Sequence, residues 1–180
     1  MSNARIETFE IKRCAKVLEE IRKLRYQVYF KELQIDLPGV DHQRETLPDS
    51  LDVPAIHIAA RIDSDLVGAV RLNLNTVPKG LESTLRTAGL PRPFVYCSRL
   101  YVLEEFRGKG IMQDLAAACF QQFYERGAAV AICHCYPHLS KLYQRMGFRS
   151  YGSPFVVPKL EHLGAQTPFR CLFSKRQIAA

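Results

Sequence analysis

Residues 94–127 limit the fold more than any other stretch. FVYCSRLYVL, 94–103, is rich in β-branched and aromatic residues and reads as a strand. Arg107-Gly108-Lys109-Gly110 interrupts it. IMQDLAAACFQQFYERG, 111–127, is a run of good helix formers that stops at Gly127, the expected C-terminal cap. A strand that turns through two glycines into a helix sets a helix N-terminus at a strand end. The first turn of that helix leaves backbone N–H groups unpaired, and its end carries about half a positive charge. Glycines let a ligand come close to those N–H groups, and Arg107 and Lys109 add full charges. The pattern therefore suits a phosphate. It lacks the Gly-Lys-Ser/Thr ending of a nucleoside-triphosphate loop and the G-x-G-x-x-G spacing of a dinucleotide site, so neither ligand is expected. The alternative reading is that the two glycines only shape a tight strand-to-helix turn.

The periods elsewhere extend the pattern. RIETFEIKR is a short first strand. From about 14 to 33, Val17, Ile21, Leu24 and Val28 share one helical face, and Arg22, Lys23 and Arg25 fall largely off it. Residues 34–54 form a long polar connection with three prolines, a length often tied to function. AIHIAARI and LVGAVRLNL flank a short turn as a hairpin. Residues 75–93 form another loop, with a helical turn near 81–88. AAVAICHCY is a strand, and PHLSKLYQRMG is a helix with Pro137 at its start and Gly147 at its end. FRSYGSPFVV and TPFRCLF supply closing strands. The order β-α-β-β-β-α-β-α-β-β implies an α/β (α+β) fold, with a central mixed sheet flanked by helices. At 180 residues a single domain, 1–180, is expected.

Charge narrows the partners. The chain carries 25 Lys and Arg against 18 Asp and Glu, a formal net charge of +7. That balance favours an acidic partner. The cations are scattered and no aromatic-basic motif accompanies them, so nucleic acid is not expected. No stretch approaches the ~20 apolar residues of a membrane span. The N-terminal residues show no apolar signal core, so the six cysteines are expected to be reduced thiols in the cytoplasm. Cys133, His134 and Cys135 invite a metal, but a Cys-x-Cys without a second matching pair is a poor zinc set, and none is expected. In a strand, His134 points away from both cysteines, which also weighs against a cysteine nucleophile. His57 and His138 are left unassigned between site and structure.

RLYVLEEFRGKGIM resembles motif A of the GNAT acyltransferase superfamily, Arg/Gln-x-x-Gly-x-Gly/Ala. Arg107 and Gly110 fill its places, and Met112 stands where a small residue is usual. KLYQRMGFR, 141–149, resembles the second GNAT landmark, Leu-Tyr-x-x-x-Gly-Phe, in the right order and with a strand between. The resemblance implies the GNAT fold: a mostly antiparallel sheet, splayed between strands 4 and 5 to admit a thioester, with helices on both faces. It implies that backbone groups of Tyr101 and Val102 bond a pantetheine arm. It implies that amides of Arg107, Gly108, Lys109, Gly110, Ile111 and Met112 hold phosphate. Tyr143 would be the general acid that protonates the leaving thiolate.

Three further stretches resemble one branch of that superfamily, the acyl-homoserine-lactone synthases and N-acyl amino acid synthases. These are LRYQVYFKELQ, CSRLYV and CYPHLSKLYQRMGFR. The branch implies transfer of a long acyl chain from acyl carrier protein to the amine of a small molecule such as an amino acid, and a basic surface suits an acidic carrier. Tyr96 occupies the place of a carboxylate in that branch, which leaves the general base unassigned. Arg99 is a candidate to bind a substrate carboxylate bidentately or to form a structural ion pair. Ser98 and Tyr96 are weaker candidates for substrate contact, Ser98 because strand alternation turns it away from Arg99. The expected donor is acyl-CoA, acetyl-CoA or the acyl-phosphopantetheine of a carrier protein. The alternatives are an acetyl-CoA-dependent N-acetyltransferase, acyl-homoserine-lactone synthesis, and a non-catalytic acyl-CoA or acyl-carrier binding module.

Overall fold

A computed structural model describes residues 3–10, 15–157 and 160–173. Cys14 and the end of the expected first strand lie outside them. The chain forms two compact units: Met1–Leu72 with Arg99–Phe120, and Asn73–Ser98 with Gln121–Ala180.

In the first unit, β1 (Arg5–Glu10) and β2 (Ile56–Ile62) pair antiparallel, with Phe9 opposite His57. β2 pairs antiparallel with β3 (Asp65–Leu74), with a register shift at Ala60/Arg61. The expected hairpin is present, and Asp63 takes the positive φ of its turn. Helix α1 (Ala15–Tyr26) buries Leu18, Ile21 and Leu24, as its period dictates. Ile21, Leu24 and Val28 pack with Ala69 and Tyr101. Gly68 of β3 lets Tyr101, Val102 and Leu115 come close. A Cβ there would lie 3.1 Å from the Tyr101 carbonyl oxygen and 3.3 Å from Leu115.

Two features depart from the sequence reading. The expected helix to residue 33 changes pitch: Gln27–Glu32 is a π-helical segment, closed by Leu33 N–H donating to the Val28 carbonyl at 3.0 Å. Such wide turns occur mostly as single-turn bulges and often at functional sites. The second departure is Arg25, which lies off the apolar stripe yet is fully buried. The reason is the 34–54 connection, whose Leu37, Leu47 and Asp52 are themselves buried. Asp52 accepts from Arg25 at 2.9 and 3.2 Å and from Arg71 at 2.9 Å. The connection is pinned to α1 and β3 by this ion cluster.

In the second unit, the first half of β4 (Phe94–Val102) pairs parallel with β5 (Val130–Cys135). β5 pairs antiparallel with β8 (Ala165–Leu172), which also pairs with β6 (Arg149–Ser150) and β7 (Phe155–Val156). The sheet is therefore mixed, as expected. α2 (Ile111–Glu125) ends at Gly127, φ +59, and the short α3 (Ser140–Arg145) ends near Gly147, φ +89. Among the described residues, β4 and β5 register over Phe94–Tyr96 and Val130–Ile132 only, although β4 continues to Val102 and β5 to Cys135. No helix of the described residues is long and apolar enough to cross a membrane.

Candidate active site

The glycine turn has the geometry its sequence asks for. A short turn at Glu104–Phe106 leads into extended Arg107, and Gly108 and Gly110 take φ of +76° and +85°. That region suits glycine and costs other residues about 1–2 kcal/mol. A Cβ on Gly108 would meet nothing within 4 Å, so the demand there is conformational and not steric. The Arg107 N–H is used by the Glu104 carbonyl at 3.1 Å. The N–H groups of residues 108–112 make no well-formed hydrogen bond to a backbone carbonyl among the described residues. They form a continuous run of donors at the start of α2.

The flanking charges are held by the protein. Arg107 donates through Nε to the Val102 carbonyl at 3.0 Å and pairs with Glu32 at 2.6 Å. Glu32 also accepts from the Glu104 N–H at 3.2 Å. The Lys109 ammonium lies 5.0 Å from the centre of the Phe106 ring. Glu32, on the π-helical segment, thus braces the turn from a distant part of the chain. Tyr101 and Val102 are buried, and the Tyr101 hydroxyl donates to the Ile21 carbonyl at 3.3 Å.

Arg99 is the least regular residue of β4. Its φ is +56°, inside a strand and without glycine's freedom. Such a conformation costs ~1–3 kcal/mol and persists only where the surroundings enforce it. Here its side chain donates to Asp49 at 2.9 and 3.3 Å, with the guanidinium 5.5 Å from the Tyr29 ring centre. Burial works against the Arg99 charge, but Tyr29 and Asp49 outweigh it and hold the pKa above the ordinary value. Burial would likewise raise Asp49, yet Arg71 and Arg99 hold its carboxyl far below the usual range. The positive φ also removes the premise for placing Ser98 opposite Arg99, because regular alternation fails there. Ser98 and Cys97 are half-buried.

The second unit holds Tyr143, half-buried on α3. Its ring meets Phe148 edge-on at 5.9 Å and lies 6.2 Å from Phe169. An open groove of about 390 Å³ follows α3, lined by Gln144 and residues 147–150. Tyr96 is buried, and its hydroxyl is 2.7 Å from His134 Nε2. His134 Nδ1 contacts Gln166 Oε1. Cys133 and Cys135 are buried, and burial pushes both thiols up. Thiols of raised pKa are poor nucleophiles. His57 is buried against the Asp52 carbonyl at 3.0 Å, and burial lowers its pKa. His138 is exposed, with its ring stacked on Tyr136.

The acetyltransferase (GNAT) family pattern matches residues 18–148, which include the glycine turn, Arg99 and Tyr143. The chain belongs to the acetyltransferase (GNAT) family. It is therefore an acyltransferase, and its mixed sheet is the GNAT sheet. Among solved structures, this GNAT chain is similar to BjaI, a CoA-dependent acyl-homoserine lactone synthase solved with SAM and isopentyl-CoA. They share 19% identity at a TM-score of 0.76, over 98% of this chain and 86% of that one. It is similar to MesI, another CoA-dependent acyl-homoserine lactone synthase, at 18% identity and TM-score 0.73, over 97% and 92%. An acyl-CoA N-acyltransferase from Pseudomonas aeruginosa gives 19% identity and TM-score 0.70, over 93% and 99%. No curated protein matches the chain.

The sequence singles out the glycine turn, Arg99, Tyr96 and Tyr143 as candidates, but not the groups that contact them, Glu32, Asp49 and Gln166, nor Asp52. The carboxylates sit in polar stretches that read as solvated loop or helix surface, and Gln166 just ahead of the expected last strand.

Proposed function

We propose that the protein, acting as one domain over residues 1–180, N-acylates a small amine such as an amino acid. The donor is a pantetheine thioester, carried by CoA or by acyl carrier protein, and the setting is the cytoplasm. The observation that carries this reading is the run of N–H groups over residues 108–112, which includes two positive-φ glycines and leads into a helix start. These N–H groups suit a phosphorylated carrier better than any other ligand class. Arg107 and Lys109 supply positive charge beside it, and backbone groups of Tyr101 and Val102 bond the pantetheine arm. The family match runs through both units of the chain, which supports a single functional domain.

The reaction is aminolysis of a thioester. The neutral amine attacks the carbonyl carbon, the C–O π electrons move onto oxygen, and the intermediate collapses with loss of thiolate. Backbone N–H groups of β4 beyond its registered pairs with β5 stabilise the oxyanion. Tyr143 gives its phenolic proton to the departing sulfur and regains one from solvent. Arg99, held by Asp49, is the candidate to bind an acceptor carboxylate, and Ser98 and Tyr96 are the weaker candidates for substrate contact.

The likeness to CoA-dependent lactone synthases supports a CoA-type donor. The family pattern, defined for acetyltransferases, supports acetyl-CoA as the second reading of the donor. The test is free-thiol release with acetyl-CoA, long-chain acyl-CoA and long-chain acyl carrier protein against a panel of amino acids. Turnover with a long-chain donor is expected. Turnover with acetyl-CoA alone would replace that branch, and donor binding without turnover would make the protein a binding module.

A further inference from the structure

Three adjacent strands of the second unit present polar side chains in a row on one face. Tyr96 of β4 is in register with Ile132, two residues before His134 on β5. His134 is in register with Pro168 of β8, and Gln166 lies two residues from it on the same face. Period-2 alternation therefore aligns Tyr96, His134 and Gln166. The ends of the row are buried, Tyr96 at 2% and Gln166 at 6% exposure, and His134 between them is half-buried. The Phe155 ring lies 5.4 Å from the imidazole, and the Tyr96 ring stacks on it at 5.9 Å.

One tautomer of the neutral ring gives a direction of proton movement: with Nδ1 donating to Gln166 Oε1, the ring hydrogen lies on Nδ1. Nε2 is then an acceptor, and the Tyr96 hydroxyl 2.7 Å away donates to it. This is an acid or nucleophile, a base and an orienting group in sequence, the arrangement that catalytic sites use. We propose that Tyr96, His134 and Gln166 form a proton relay that deprotonates the attacking amine, with Tyr96 as the group that touches it. The proposal rests on the acyl-transfer reading.

The proton balance closes. As the amine nitrogen bonds to the thioester carbon, its N–H proton passes to the Tyr96 oxygen. The Tyr96 hydroxyl proton passes to His134 Nε2. The resulting imidazolium keeps its Nδ1–H on Gln166 and later loses the extra proton to solvent. A phenol oxygen has two lone pairs besides its O–H, so it can accept from an amine while donating to the imidazole. Tyr96 lies at the last registered pair of β4 and β5, where the strands cease to pair. Its neighbours Cys97 and Ser98 are half-buried there. Gln166 and His134 act through Tyr96 and are positioning residues. Tyr96 from β4, Gln166 from β8 and Phe155 from β7 are among the groups that face His134.

The test uses the full chain with long-chain acyl-CoA and the amino acid it acylates fastest. Y96F and H134Q are expected to lower kcat about 100-fold, the usual contribution of a proton acceptor. KM for acyl-CoA should stay within about two-fold, because the relay does not touch the carrier. Hydroxylamine, already neutral at pH 7, should restore most of the lost rate in both variants. Variants that keep the parent kcat, or that lose donor binding and hydroxylamine turnover alike, would reduce the row to a packing network. A second measurement does not depend on the variants: ¹⁵N NMR of the parent's His134 should show protonated Nδ1 and bare Nε2. The opposite tautomer would overturn the relay. Failure of the parent to acylate any amine would instead sink the acyl-transfer reading itself.

Discussion

Replacing Asp52 by Asn tests the cluster that pins the 34–54 connection. The Asp52 carboxylate is fully enclosed and accepts from Arg25, Arg71 and the Asp49 N–H. Arg25 is fully buried and Arg71 is 2% exposed. Asparagine keeps the shape but removes the charge and turns an N–H₂ toward two guanidinium groups. Breaking a buried pair by neutralising one partner costs about 3–5 kcal/mol, because the other charge stays buried and uncompensated. Against a total stability of about 5–15 kcal/mol this is a large fraction. With a urea m-value of ~2 kcal/mol/M, a loss of ~4 kcal/mol moves the midpoint down by ~2 M. The assay is urea unfolding followed by circular dichroism, with Glu45→Gln as control. Glu45 pairs with Lys31 on the surface, and its removal should leave the midpoint unchanged. A midpoint shift below ~0.5 M for Asp52→Asn, about 1 kcal/mol at the same m-value, would show that the cluster does not hold the fold.

Acid should destabilise the protein in two stages. Burial lowers the His57 pKa, so the unfolded chain binds that proton first, and stability falls as pH drops through about 6.5. Burial alone would raise Asp52, but Arg25 and Arg71 hold it down, and Arg71 and Arg99 do the same for Asp49. A second loss of stability therefore begins as pH drops through about 4, and urea midpoints from pH 8 to 3 check both stages. Tyr143→Phe should lower kcat about 100-fold with KM for the donor unchanged, measured by thiol release. Unaltered turnover would remove Tyr143 as the acid. Gly68→Ala should cost about 1–3 kcal/mol by thermal or urea unfolding, since the new methyl presses on the Tyr101 backbone oxygen.

Much of the architecture was legible because it follows from local period. The α1 stripe, the β2–β3 hairpin, the glycine turn and the caps at Gly127 and Gly147 all depend on neighbours within a few residues. The ion cluster was not, because Arg25 finds Asp52 27 residues away in a stretch that reads as polar loop. A helical wheel can show that Arg25 is off the apolar face, but not that a loop will fold over it. The same distance hides the Tyr96–His134 bond, which spans 38 residues, and the His134–Gln166 bond, which spans 32. Arg99 was legible as a candidate and illegible as a backbone outlier. Its positive φ coincides with side-chain contacts to Asp49 and Tyr29, which strand propensity does not see.

The acyl-transfer account stands on the N–H donors at the start of α2. Backbone ¹H–¹⁵N spectra recorded with CoA, and separately with phosphate-free pantetheine, test them most directly. The account predicts that CoA moves the amide signals of residues 108–112 downfield, as charge-assisted hydrogen bonds form, and that pantetheine leaves them in place. CoA binding that shifts other amides while these five stay still would contradict it.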